Sequence, residues 1–488
     1  MGKAKNPKRP QVVTTGLKAC VQEVGGGILV VVSNSSSQSA DHITEAAPPH
    51  GVAPAPPATD DGGPARAARA DGQGLAPGPA PGPAPQEAQA PPARRLGGVD
   101  VARGLAVLGM FIVHVGIGWT LADGSNALYP IAAGRSAVLF ALLAGVSIAL
   151  LSGGRERKVN KDLGVALWRV ITRGVVMLFA GTALTMLGTS VSVILAYYAV
   201  FFVLAGMVLT ERWGVVAFAA AVLGVAGPVA SYWLRGVIAE GGTPGRVVGA
   251  VNAYDPFVLL ADDGIVNFLL TGYYPAITWM PFVFAGLAIG RLDLRSTRVR
   301  WRLVALGSGL AAAAYGVSWV VLDVLGGVGR LAASVNPETG AAYGADGVAL
   351  ALYEGLPGVV PPTDWVWLFT AAPHSGTPLE VFGSGGVAIA VLGLCLLVSD
   401  RLGWLVYPVA SVGALALTVY VGHILVIWLD ERSLLDGTPL SFVSTWLDLS
   451  VPLGALVFAT AWRLLVRRRG PLEWPLHVVS SWVAERIP

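Results

Sequence analysis

Val99-Asp-Val-Ala-Arg-Gly-Leu-Ala-Val-Leu-Gly-Met-Phe-Ile-Val-His-Val115 opens the first long apolar segment of the chain. Asp100, Arg103 and His114 interrupt an otherwise apolar or small-residue run. A segment of this kind crosses a hydrocarbon core of about 30 Å as an α-helix. Arg103 and His114 are about three helical turns apart, so they share a face and lie about 16 Å from each other along the axis. Ionisable groups at such depth are costly and mark either a functional site or tight pairing.

The rest of the chain repeats the apolar pattern. Mean hydropathy is +0.63, with 54% hydrophobic and 13% charged residues among 488. That balance excludes an ordinary soluble enzyme and predicts an all-α, polytopic membrane helix bundle. Segments long enough to span fall near 102–121, 134–152, 170–188, 191–209, 213–234, 268–290, 303–323, 381–399, 406–428 and 449–466, about ten in all. Small residues such as Gly286 and Gly290 sit at the four-residue spacing that lets membrane helices approach closely. Cys20 and Cys395 stand in a polar tail and an apolar segment, so no disulfide and no Cys/His zinc spacing is expected. The chain carries no Walker-type loop, HExxH or GxSxG motif, and nothing in it points to nucleic acid.

Residues 1–93 are rich in Ala, Pro and Gly, a composition that buries too little apolar surface to fold, and predict a disordered tail. The membrane part divides into regions 94–235 and 236–478, with a short tail at 479–488. Arg155, Arg157, Lys158 and Lys161 follow the second span, and Arg291, Arg295, Arg298, Arg300 and Arg302 follow the sixth. Arg401 and Arg467-Arg468-Arg469 fall on the same side. The positive-inside rule then puts both termini in the cytoplasm, and the cell (cytoplasmic) membrane is the expected location. Long outer connections are expected at 235–267 and 324–380, and loops of that length are usually functional. The second carries Trp365-Val-Trp367, an expected interfacial aromatic pair, and a Pro- and Gly-rich stretch, residues 372–380, that forbids a regular helix.

His114 is the first candidate for chemistry, because a neutral imidazole can take a proton from a hydroxyl or an amine. It could equally be a helix-packing histidine, and Asp100 with Arg103 could simply pair at the inner interface. Arg135, at the outer start of the second span, either snorkels or faces inward toward a polar ligand. The topology sends Tyr273, Tyr274, His374, Glu380 and His423 toward the outer face, which is how a substrate pocket reads.

Arg103 to His114 within Val-Asp-Val-Ala-Arg-Gly-Leu-Ala resembles the Arg-x10-His signature of membrane O-acyltransferases of the acyltransferase-three superfamily. With Gly134-Arg-Ser-Ala-Val-Leu-Phe-Ala-Leu-Leu-Ala-Gly145, the same region is similar to the heparan-α-glucosaminide N-acetyltransferase catalytic domain. The C-terminal half resembles the YeiB-like family of bacterial multi-pass proteins, a domain of unknown function. The residues that carry this second likeness are 270–279, 286–293, 413–420 and 469–474. Residues 122–133 lack the histidine that the heparan family carries in its first outer loop.

The resemblance implies a transferase that moves an acyl group from cytoplasmic acyl-CoA, acetyl-CoA being the expected donor, to a saccharide or similar acceptor. On that basis His114 and Arg103 are the expected catalytic residues, and Arg169 and Arg173 the expected cofactor-binding ones. Arg135, Tyr273, His374, Glu380 and His423 are expected to bind the acceptor; no metal is expected. The partners implied are the lipid bilayer and a small-molecule or glycan acceptor. A secondary transporter or flippase is the alternative, with the same residues lining a pathway. It would call for paired broken helices, of which the sequence gives no sign.

Overall fold

The structure is a computed structural model that describes residues 22–24, 27–29, 96–116, 126–337 and 339–487. The remainder of the expected tail, 1–93, and most of the connection after the first span lie outside the described residues. Within the tail, Gln22–Val24 pairs antiparallel with Gly27–Leu29, across part of the short apolar patch there. Everything described from Leu96 onward belongs to one helical unit.

That unit is built from α1 (Gly97–Val115), α2 (Arg135–Leu151), α3 (Asn160–Thr185), α4 (Tyr197–Gly206), α5 (Trp213–Ala239) and α6 (Ala276–Gly290). It continues through α7 (Thr297–Trp319), α8 (Pro378–Arg401), α9 (Tyr407–Ala414), α10 (Ala416–Glu431), α11 (Leu447–Leu465) and α12 (Glu473–Arg486). Seven of the described helices are long and apolar enough to span a bilayer, or eight if the pair α9 and α10, bent by 83°, is one broken span. The chain is a multi-pass membrane protein.

Three of the ten expected spans thus resolve differently. The segments expected at 191–209 and 268–290 are only partly helical, because the regular helices α4 and α6 follow irregular backbone at 191–196 and 272–275. Val193, Ile194, Leu195 and Tyr274 are nonetheless buried. Irregular backbone at membrane depth is tolerable when protein, not lipid, covers it. The span expected at 406–428 breaks at Leu415, so a broken helix is present where none was anticipated. Helices α1 and α3 also begin earlier than expected, which puts Arg103, Arg169 and Arg173 inside helices rather than at their ends.

Close backbone contact holds the centre together. A Cβ on Gly413 would sit 1.8 Å from the Asp100 carbonyl oxygen, and one on Gly286 1.8 Å from that of Leu142. The first contact seats α9 on α1, and the second seats α6 on α2, as the Gly286/Gly290 spacing predicts. Around them Ala102, Ala106, Val107, Phe111, Leu142 and Leu287 are fully buried. Helices α5, α7 and α11 present Phe218, Trp233, Trp319 and Val457 outward, the side that lipid would cover.

The connection 324–380 is not structureless. Gly327–Ala333, Gly344–Glu354 and the short 3-10 turn Trp365–Phe369 form a cap with its own buried cluster. Trp365 is exposed but Trp367 is fully buried in that cluster, so the two do not act as an interfacial pair. The cap is tied to the segment after it by Leu356 N–H donating to the Pro373 carbonyl, 2.9 Å.

The seating of α9 on α1 is directly testable. Gly413→Val should lower thermal stability in detergent by about 1–3 kcal/mol or more, the usual cost of overpacking. Gly422→Val, where a Cβ meets nothing within 4 Å, should leave it nearly unchanged. Equal melting temperatures for the two variants would refute the close-contact account.

Candidate functional site

Two histidines from opposite halves of the membrane part meet in the bundle. His114 Nδ1 lies 3.0 Å from His423 Nε2, and the ring planes are within 8° of parallel. The short contact of His423 Nδ1 with the Tyr420 carbonyl fixes the proton order. A carbonyl only accepts, so His423 Nδ1 carries a hydrogen and its Nε2 is a lone pair. His114 Nδ1–H therefore donates to that lone pair, and His114 Nε2 is left basic. His423 is buried against Phe111 and Tyr420, with ring centroids 4.7 and 5.0 Å away. His114 lies deep in the protein yet keeps part of its surface accessible.

A second group is organised by Glu380, in the first turn of α8. Its carboxylate accepts from the His374 N–H at 2.6 Å, the Gly376 N–H at 2.6 Å and the Ser375 hydroxyl at 3.2 Å. Thr377 caps α8 by accepting from the Glu380 N–H, 3.1 Å. These bonds hold the Pro/Gly-rich stretch in place and keep His374 in a left-handed backbone conformation, φ 55°. The imidazole of His374 sits among Tyr273, Tyr274 and Trp279, with ring centroids at 4.6, 5.5 and 5.9 Å. Its Nδ1 is buried without a hydrogen-bond partner among the described residues. Burial pushes its pKa down to about 3, and any charge placed on His114 would act in the same direction. His374 is therefore neutral.

Arg135 stands near this group without joining it by a hydrogen bond. Its Nε donates to the Tyr315 hydroxyl at 3.0 Å, which in turn contacts Ser384 Oγ at 3.3 Å, while its Nη1 reaches the Pro130 carbonyl. Its charge nevertheless reaches Glu380. Most of the acceptor set expected from sequence is thus local to one end of the bundle, but His423 belongs with His114.

The other end is rich in arginine. Arg103 donates to Asp100 at 3.2 Å, to the Gly413 carbonyl at 3.2 Å and to Ser147 Oγ at 2.9 Å, joining α1, α2 and α9. The expected Asp100–Arg103 pair exists, as one of several contacts. Arg173 feels the charges of Arg469, Arg169 and Arg103, so four guanidinium groups share this region. Arg173 Nε also meets Ser480 Oγ at 3.5 Å, and Arg169 meets Glu485 at 3.5 Å, which docks α12 against α3.

Residues 95–316 match the family model described as "Heparan-alpha-glucosaminide N-acetyltransferase, catalytic". Over this region the chain is similar to that catalytic domain. The matched acetyltransferase-like stretch carries Arg103, His114, Arg135, Arg169, Arg173 and Tyr273, whereas His374, Glu380 and His423 lie beyond its end. No curated protein matches the chain.

Sequence reasoning missed several members of the site. Trp279 stacks on His374 within 16° of parallel; Ser147 anchors Arg103; Tyr198 has a buried, unpartnered hydroxyl that both Tyr420 and Arg103 reach electrostatically. All three sit in apolar helices, where an aromatic or small polar residue reads as packing. Nothing in local spacing distinguishes them.

The role of the Glu380 carboxylate can be read from amide exchange. Hydrogen bonds to a charged group are worth about 1.5–3 kcal/mol each, so Glu380→Gln should speed exchange of the His374 and Gly376 amides at least about tenfold. Unchanged protection there would show that the loop is held by something else.

Proposed function

We propose that the protein is an integral-membrane acyltransferase that moves an acyl group from cytoplasmic acyl-CoA, acetyl-CoA being the expected donor, to a cell-envelope saccharide or similar acceptor. The observation that carries the proposal is the His114–His423 pair, 3.0 Å apart, whose proton order leaves His114 Nε2 basic. The family match over residues 95–316 supplies the reaction class.

In this reading His114 Nε2 is the general base. An acceptor hydroxyl or amine attacks the thioester carbonyl, its proton passes to His114, the C–S bond breaks, and the thiol leaves with a proton returned from the imidazole. His114 could also carry the acyl group transiently, with the same overall balance. His423 acts by holding the ring and its proton order. Arg103, Arg169 and Arg173, joined by Arg469, suit the phosphates of the donor through charge-assisted hydrogen bonds. Arg103 and His114 lie about 16 Å apart along α1, which favours a donor with a long arm between its phosphates and its reactive carbonyl, as acyl-CoA has.

The acceptor side falls to Tyr273, His374 and Arg135, with Glu380 holding the loop that presents His374. Aromatic faces beside an unpartnered imidazole nitrogen suit the apolar faces and hydroxyls of a sugar. Regions 94–235 and 236–478 build this site jointly. By the positive-inside rule the arginine-rich end is cytoplasmic, and the cell membrane is the expected location.

The bend between α9 and α10 favours a second reading, a secondary transporter or flippase, because carriers build their sites at discontinuous helices. Proton-coupled uptake into proteoliposomes, with no product formed from acetyl-CoA, would select it.

His114→Ala should lower acetyl transfer by about a hundred- to ten-thousand-fold, the usual worth of a general base, with expression and membrane insertion unchanged. His423→Ala should cost less, because the base survives and only its orientation is lost. Retained turnover in His114→Ala would overturn the mechanism. Acetyl-CoA at a hundred times its Kd should stabilise the folded protein by about 2.7 kcal/mol, an effect that Arg173→Gln should weaken. No stabilisation at any concentration would remove the donor from the scheme.

A further inference from the structure

Arg291 is 5% exposed and sits at the C-terminal end of α6. Its Nη2 donates to the Leu209 carbonyl at 2.5 Å, while its Nε and Nη1 are buried without a partner among the described residues. Arg157 donates to the next carbonyl, that of Thr210, and its charge reaches Arg291. Two like-charged groups therefore converge on one two-residue stretch. Among the described residues neither has a carboxylate within ion-pair distance.

A guanidinium does not deprotonate in a protein, so it cannot escape burial by becoming neutral. Arginine is almost never buried unpaired, and leaving its donors unsatisfied is costly. Repulsion from Arg157 adds to that cost. Carbonyl oxygens supply only partial negative charge. The arrangement lacks one thing, an oxyanion between the two arginines.

Its position says which kind. Arg157 follows α2, Leu209 and Thr210 follow α4, and Arg291 follows α6, so three apolar helices end here together. Arg157, Thr210 and Glu211 are exposed, so Arg291 lies just beneath the surface. In a membrane protein, basic residues at such a level meet phosphate-bearing headgroups.

We infer that Arg157 and Arg291 form a binding site for a phosphate group at the arginine-rich end of the bundle. The site is separate in residues from the Arg103, Arg169 and Arg173 set and stands whether or not acyl transfer is the reaction. An anionic phospholipid headgroup and free inorganic phosphate offer the same chemistry to it.

The test uses the full-length protein in a neutral detergent, titrated with short-chain phosphatidylglycerol, short-chain phosphatidylcholine or inorganic phosphate, with thermal stability as the readout. Saturable stabilisation by phosphatidylglycerol alone supports a headgroup site, and saturable stabilisation by phosphate as well supports a general oxyanion site. Arg157→Gln should weaken the effective ligand at least tenfold, and Arg291→Lys, which keeps the charge but loses the fork, should weaken it too. Arg155→Gln removes the same charge from an exposed neighbour and should leave affinity unchanged. If Arg291→Lys does not fold, the comparison of Arg157→Gln with Arg155→Gln decides the matter. No saturable stabilisation, or equal losses in Arg155→Gln and Arg157→Gln, would overturn the site and leave water or diffuse charge as the explanation.

Discussion

A helix that breaks inside a bundle strands backbone groups at the break, and in lipid no water is available to take them up. The interruption between α9 and α10 meets this constraint from both sides. Arg103 donates to the Gly413 carbonyl at the end of α9, and the Glu473 carboxylate accepts from the Thr418 N–H and hydroxyl, 2.9 and 2.6 Å, at the start of α10. A cation stands at one helix C-terminus and an anion at the next N-terminus, as the helix dipoles favour. Two residues from opposite ends of the membrane part thus hold the break open. Because α10 leaves it at 83° to α9, His423 comes to lie beside His114.

The same logic governs the other irregular stretches. Residues 191–196 and 272–275 support each other through the Tyr274 hydroxyl, which donates to the Ser192 carbonyl at 3.1 Å, and through the Tyr273 N–H, which donates to the Tyr197 hydroxyl at 3.1 Å. The stretch that presents His374 is satisfied by Glu380. Each departure from helix is covered by a specific polar side chain, and those departures surround the histidines. Polar groups buried to serve the backbone and polar groups free to serve a ligand are therefore neighbours. Among the described residues, His374 Nδ1 and the Tyr198 hydroxyl are two of the buried groups left without protein partners.

How much of this the sequence disclosed depends on the range of the interaction. Apolar run length is a local property, so the helical membrane class was legible, and so was the shared face of Arg103 and His114 on one regular helix. The four-residue spacing of Gly286 and Gly290 also carried through to a real backbone contact. The break at Leu415 was not legible, because α10 is apolar and Leu415 is neither Pro nor Gly; the groups that cap it, Arg103 and Glu473, come from far along the chain. The pairing of His423 with His114, and of Trp279 with His374, is likewise long-range. Trp367 shows the opposite error: an aromatic near a membrane end reads as interfacial, but a cap folded over it made it core.

The site consequently cannot be assigned to the matched region alone. His114 lies inside residues 95–316, but what orients its proton lies outside. The Tyr420 carbonyl sets the tautomer of His423, His423 sets that of His114, and the position of α10 depends on a break capped by Glu473. Removing His423 would free the His114 ring to adopt either tautomer and to rotate. A basic nitrogen pointed at the wrong atom is of little catalytic use, since proton transfer needs hydrogen-bond contact with its target. In the proposed reaction the C-terminal half is therefore part of the chemistry and not only a membrane anchor for it.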